Sequence, residues 1–233
     1  MPLAEDPLKL HATLKFLRRK GLPITAANLK KHARKRIDTN TALALEFAHN
    51  YTQQVRQALG DNLLAAFAFG RLARGYRVEG TPPSDVDLMF ITRKTMNDKW
   101  PRLAGAPFRT DPLIYPLGEQ EMAQRIKQRD EEGFTLRRIF AFPLVPLHGE
   151  KIVRRLRDVA KENFNEEDRS AFVAYRYAKI KEKLLSAVES RDPARMNTIE
   201  HIIRHDFEML RAIKKPRRAV LKRGRWRELK PPN

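Results

Sequence analysis

The chain contains no cysteine. It can therefore form neither a disulfide nor a thiolate metal site, which suits a reducing compartment. Acidic residues are also scarce: 28 Asp and Glu stand against 47 Lys and Arg, a net charge of +19. That balance disfavours a small cationic substrate, which needs an acidic pocket. It favours a polyanionic partner, through electrostatic steering and counterion release. Long apolar runs are missing too. No stretch reaches the roughly 20 residues that a membrane-spanning helix needs. Residues 1–20 mix Glu5, Asp6 and Lys9 with leucines and lack the apolar centre of a secretion signal. The expectation is a soluble cytoplasmic protein without a membrane partner. What is present is enough apolar sequence, 42% of 233 residues, to bury one large domain or two small ones.

The informative stretch is 67–92, FAFGRLARGYRVEGTPPSDVDLMFIT. An apolar run from Leu63 to Phe69 predicts a strand that stops at Gly70. Arg71, Arg74 and Gly75 follow, and then a turn-rich segment, Gly80-Thr81-Pro82-Pro83-Ser84. Asp85-Val86-Asp87 comes next and runs straight into Leu88-Met89-Phe90-Ile91, which predicts a buried strand. Residues two apart on a strand share a face, so Asp85 and Asp87 are expected side by side. Two carboxylates that close repel unless a cation lies between them. Mg²⁺ suits them, being a hard cation that takes oxygen ligands and bridges to phosphates. A second short strand is expected over 108–115, with Pro112 placing it at a sheet edge or Asp111 at its start. If it neighbours the first, Asp111 completes a cluster of three carboxylates able to hold two metal ions.

These residues resemble the nucleotidyltransferases of the DNA polymerase β superfamily, most closely the minimal branch. That branch carries Phe-Gly-Ser, Arg-Ala-Arg-Gly and Ser-Asp-x-Asp-Leu; this chain has Phe69-Gly70-Arg71, Leu72-Ala73-Arg74-Gly75 and Ser84-Asp85-Val86-Asp87-Leu88. The resemblance covers 63–115. It implies transfer of a nucleoside monophosphate from a nucleoside triphosphate, assisted by two Mg²⁺ ions. Asp85 and Asp87 would be metal ligands, and Asp111 the third carboxylate and the base for the incoming hydroxyl. Gly70, Arg71, Arg74 and Ser84 would hold the nucleotide. The chain departs from the pattern at Arg71, where the family has Ser.

The implied fold is α/β: a small mixed-sheet nucleotidyltransferase core at 61–149, N-terminal helices at 1–60, a C-terminal helical domain at 150–213 and a basic tail at 214–233. In the first part, helices are expected over 7–20, from an N-cap at Thr25 through Lys35, and over 41–59 behind Thr39 or Asn40. The last has an apolar stripe of Leu43, Phe47, Tyr51, Val55 and Leu59, and His49 is expected at its surface. Residues 119–130 and 131–140 predict two more helices, and 141–148, broken by Pro143 and Pro146, an edge strand or an extended segment ending at Gly149. A long helix is expected over 169–189 behind an Asp168 cap, with Phe172, Ala178 and Leu185 among its apolar positions.

Two basic segments are candidates for nucleic-acid contact. One is the second helix, with Lys30, Lys31 and Arg34. The other is the tail, with Arg217, Arg218, Lys222, Arg223, Arg225 and the stacking face of Trp226. The preferred acceptor is RNA, with a tRNA 3′ end in first place. The alternatives are adenylylation of a partner protein, as antitoxin-like minimal members do, and a transferase fold that has lost catalysis and serves in nucleic-acid binding or assembly.

Overall fold

A computed structural model describes residues 7–33, 37–73, 86–94, 100, 101, 108, 110, 112–190, 219–222 and 225–228. For 7–9, 71, 187, 190, 219–222 and 225–228 it describes the backbone alone. The chain divides into two compact units, 1–165 and 166–233. It is a mixed α/β protein, as the alternation of apolar strands and amphipathic helices requires.

The first unit is built on a four-stranded mixed sheet. Its strands are β1 (Leu63–Ala68), β2 (Leu88–Thr92), β3 (Leu113–Tyr115) and β4 (Val145–His148), in the order β3-β2-β1-β4. β1 pairs antiparallel with β2 and with β4, and β2 pairs parallel with β3. β3 and β4 are thus the edges. Pro146 lies in β4, where a missing N–H is tolerated.

β1 is apolar throughout, and β2 is apolar up to its last residue, the buried Thr92, because helices cover both faces of the sheet. Ala66, Ala68, Leu88, Phe90, Val145 and Leu147 belong to one core, and Ala65, Phe67, Met89 and Ile91 to the other. That alternation is the two-residue period of a strand. The first core is completed by α1 (Pro7–Arg19), α2 (Ala26–His32) and α3 (Thr39–Leu59), through Leu10, Leu14, Leu17, Leu29, Leu45 and Val55 among others. The second is completed by α5 (Glu119–Lys127), α6 (Glu131–Ala141) and α7 (Glu150–Asn163). α7, expected among the C-terminal helices, contributes Val153, Leu156 and Ala160 to this core. A fourth, very short helix, α4 (Gly70–Ala73), follows β1.

Several boundaries differ from the sequence reading for local reasons. Thr25 caps α2, its side chain accepting from Asn28 N at 3.2 Å, but the helix stops at His32, where Ala33 turns extended. α3 starts behind Asp38, whose carboxylate accepts from Thr41 N at 2.9 Å and so satisfies an orphan donor. The five-residue stripe expected on α3 does not share one face. Steps of four residues advance about 40° each on a helix of 3.6 residues per turn. Over four steps the stripe rotates away, leaving Leu43 at 43% exposure while Ala44, Ala48 and Thr52 are buried. His49 is half-buried rather than at the surface. Trp100 is an anchor: it donates from Nε1 to Tyr51 Oη at 2.7 Å and packs edge-on against Phe90.

The corner between α5 and α6 contains a buried arginine. Arg137 donates through Nη1 to Ile126 O at 2.9 Å and to Gln128 O, carbonyls that the end of α5 leaves without helical partners. Asp130 caps α6 by accepting from Gly133 N at 2.7 Å.

In the second unit, α8 (Glu166–Ser190) begins before Asp168, which is buried within the first turn rather than capping it. Phe172 and Ile180 are buried; Leu185 is 54% exposed and Ala178 is exposed too. β5 (Ala219–Lys222) and β6 (Arg225–Glu228) pair antiparallel within the expected basic tail. Among the described residues no helix is long and apolar enough to cross a membrane.

Replacing Arg137 with Met should lower stability by about 2–4 kcal/mol, since both carbonyls lose a charged donor in a buried setting. Lys127→Ala, on the exposed side of the same corner, should stay within about 0.5 kcal/mol. Urea denaturation midpoints at unchanged m value measure both.

Candidate active site

β1 hands the chain to the site. Its pairing with β2 continues past Ala68, opposite Leu88, to a bond from Phe69 N to Asp87 O of 3.1 Å. Gly70 then takes φ +65°, a conformation that other residues adopt at a cost, and starts α4. Leu72 and Ala73 anchor α4 in the first core. The sharp turn lays the α-carbon of Gly70 against the carboxyl group of Asp87. A β-carbon at position 70 would overlap Asp87 Oδ2 and lie 2.9 Å from Cγ. A glycine is needed here for two reasons at once, the backbone angle and the space taken by the acid.

Asp87 is half-buried, immediately before β2. On the other side of β2, Thr110 donates from Oγ1 to Val86 O at 2.7 Å, and Leu113 pairs with Met89. Both contacts join residues 24 apart, one through a side chain and one through the parallel strand pairing. Phe108, buried in the first core against Phe47 at 5.3 Å between ring centroids, pins the start of this segment. Thr110 and Phe108 were not singled out from the sequence. Their signal was weak, a lone Phe and a lone Thr within the short strand expected over 108–115.

Of the other site residues expected from the sequence, Ser84, Asp85, Arg74 and Asp111 lie outside the described residues, and Arg71 is described in its backbone only. Gly70 and Asp87 are therefore the pair that the structure brings together. Among the described residues no three His, Asp or Glu side chains gather as a metal site. The donor at Asp87 is a carboxylate, the hard oxygen ligand that Mg²⁺ takes.

The basic candidates fall elsewhere. Lys30 and Lys31 are exposed on the last turn of α2, with Lys30 Nζ donating to Thr39 Oγ1 at 2.9 Å. Arg34, Arg217, Arg218 and Arg223 lie outside the described residues. Lys222, Arg225 and Trp226 are described as backbone in the β5–β6 pair, where Lys222 is opposite Arg225 and Leu221 opposite Trp226. Comparison with protein-family models and with curated proteins finds no match.

A second group of ionisable residues, not anticipated, lies where α1, α3 and β4 meet. Arg18 Nη2 donates to Leu147 O at 2.8 Å. Next in sequence, His148 bonds to the backbone of Leu63 through its ring, and its pKa is lowered, first by burial and then by Arg56 and Arg18. His49 is pushed down to about 4 by burial and by Arg18. His49 and Arg56 are seven residues apart on α3, two turns along one face. That spacing was the available signal, hidden by reading His49 alone.

Gly70→Ala should cost at least about 1–2 kcal/mol from the backbone angle alone, and more from displacing the acid. The Asp87→Ala, Gly70→Ala double variant should lose less than the two single variants summed, a coupling that urea titrations would measure. His49 predicts a pH effect. Its proton affinity is lower in the folded chain than in the unfolded one, so acid favours unfolding. Stability should fall between about pH 6.5 and pH 4, where the ring's folded-state pKa lies. In His49→Gln the drop in urea midpoint between pH 7 and pH 4.5 should be smaller.

Proposed function

We propose that the first unit is a metal-dependent nucleotidyltransferase, moving a nucleoside monophosphate from a nucleoside triphosphate to an acceptor hydroxyl. One observation carries the reading: a left-handed glycine turn after an apolar strand, packed against an aspartate that opens the neighbouring strand. This is the geometry that a phosphate-approaching backbone and a metal-ligating carboxylate share in such enzymes. The contacts of Thr110 with Val86 and of Leu113 with Met89 are in keeping with the role proposed for Asp111.

In this reading Asp85, Asp87 and Asp111 hold two Mg²⁺ ions, which when bound neutralise the triphosphate. Gly70, Arg71, Arg74 and Ser84 hold the nucleotide; Arg in place of Ser at position 71 supplies a forked cation to the phosphates. Asp111 takes the proton of the acceptor hydroxyl. The new oxygen–phosphorus bond forms as the bond to pyrophosphate breaks, in line. The acceptor proposed is RNA, a tRNA 3′ end in particular, on the strength of the +19 charge. Lys30, Lys31, Arg34, Arg217, Arg218, Lys222, Arg223, Arg225 and Trp226 would contact it. The setting proposed is the cytoplasm.

Incubation with α-labelled nucleoside triphosphates, Mg²⁺, total RNA and total protein tests this. Label is expected in RNA. Label in protein alone would make the chain a protein adenylyltransferase, and no label at all would leave a nucleic-acid-binding or assembly role. Asp85→Ala and Asp87→Ala should each reduce transfer more than about a hundredfold, since a lost metal ligand removes several kcal/mol of charge stabilisation. Transfer that survives in both variants excludes this site.

A further inference from the structure

We propose that Arg18, His49, Arg56 and His148 form a binding site for a phosphate group at the end of the sheet away from Gly70 and Asp87. The site does not rest on nucleotidyl transfer; it follows from where three elements bring basic groups together.

Position comes first. His148 pairs with Ala66 and its ring meets the backbone of Leu63, at the start of β1. Gly70 lies beyond the other end of that strand, roughly 20 Å away at the usual strand rise. Arg18 reaches the same place from α1 by bonding Leu147 O. Arg56 and His49 reach it from α3, which packs on both β1 and β4. Arg56 is exposed and the two imidazoles are half-buried; Arg18 is exposed over the residue as a whole, yet burial of its charged end lowers its pKa.

Charge comes next. The charges acting on the two histidines are Arg18 and Arg56. Glu150 acts on Arg18, but this carboxylate is already shared by His11 at 3.1 Å, Lys15 at 3.9 Å and Arg154 at 2.8 Å. One acid among so many bases leaves positive charge uncompensated. His49 Nδ1 is buried and has no hydrogen-bond partner, a costly arrangement for a polar atom. An oxyanion beside the arginines answers the uncompensated charge. It accepts from two guanidinium forks, which match phosphate geometry, and gives the imidazoles a reason to hold a proton. A free phosphate and a polynucleotide backbone present this same chemistry.

The test uses the full chain, labelled so that histidine ring resonances are resolved. Inorganic phosphate and a short single-stranded RNA are titrated separately at constant ionic strength, with chloride as the reference salt. The His49 and His148 rings should shift together and saturably while His32, on α2, stays still. The pKa of His49 should rise from about 4 on binding, because a nearby anion favours the imidazolium. Arg56→Gln should weaken binding about ten- to a hundredfold, the loss expected for one charged hydrogen bond; its side chain is exposed, so the fold is kept. Saturation at lower phosphate concentration with RNA makes the ligand a nucleic-acid backbone, and the reverse makes it free phosphate; either supports the site. Rings that move with neither ligand, that respond equally to chloride, or that respond unchanged in Arg56→Gln overturn it.

Discussion

β1 has no free side. Helices cover both faces, and β2 and β4 take both edges. A glycine with positive φ is packed against each end of the strand. At one end Gly70 turns under Asp87. At the other Gly149, φ +63°, precedes α7 where a β-carbon would overlap Leu64 O and lie 2.9 Å from the α-carbon of Ala65. The two candidate sites lie at these two ends. Acid is held at one end of the strand, base at the other, and the apolar middle keeps them apart.

The parts of this arrangement that could be read from the chain were those set by periodicity. The apolar run at 63–69 read as a strand and that at 88–91 as a buried strand, and Pro146 as part of an edge strand or an extended segment. Gly70 and Asp87 were legible because a turn residue and an acid flanked those strands. Three kinds of information were not legible. Helix ends depended on which of several polar residues captured a free N–H: Asp38 did so where Thr39 or Asn40 was expected. The face of α3 depended on rotation accumulating over several turns, which turned Leu43 outward. The basic group around His148 depended on three elements distant in sequence, and no local pattern joins Arg18 to Leu147.

The two ends of β1 also divide the proposed chemistry. A carboxylate end suits a cation and the phosphates it bridges; an arginine and histidine end suits a phosphate directly. The excess of basic residues over the whole chain does not by itself say where a polyanion rests. The sharing of Glu150 among His11, Lys15 and Arg154 says more, because it shows local compensation used up beside Arg18.

The pairing of Ala66 with His148 joins residues more than eighty positions apart. During synthesis β1 is made long before β4 leaves the ribosome. Until then one edge of the most apolar strand offers its N–H and C=O groups to any passing chain. Such distant pairing also slows folding. Fragments ending short of residue 145 should consequently be sticky, and production of the chain should depend on how fast its last edge strand arrives.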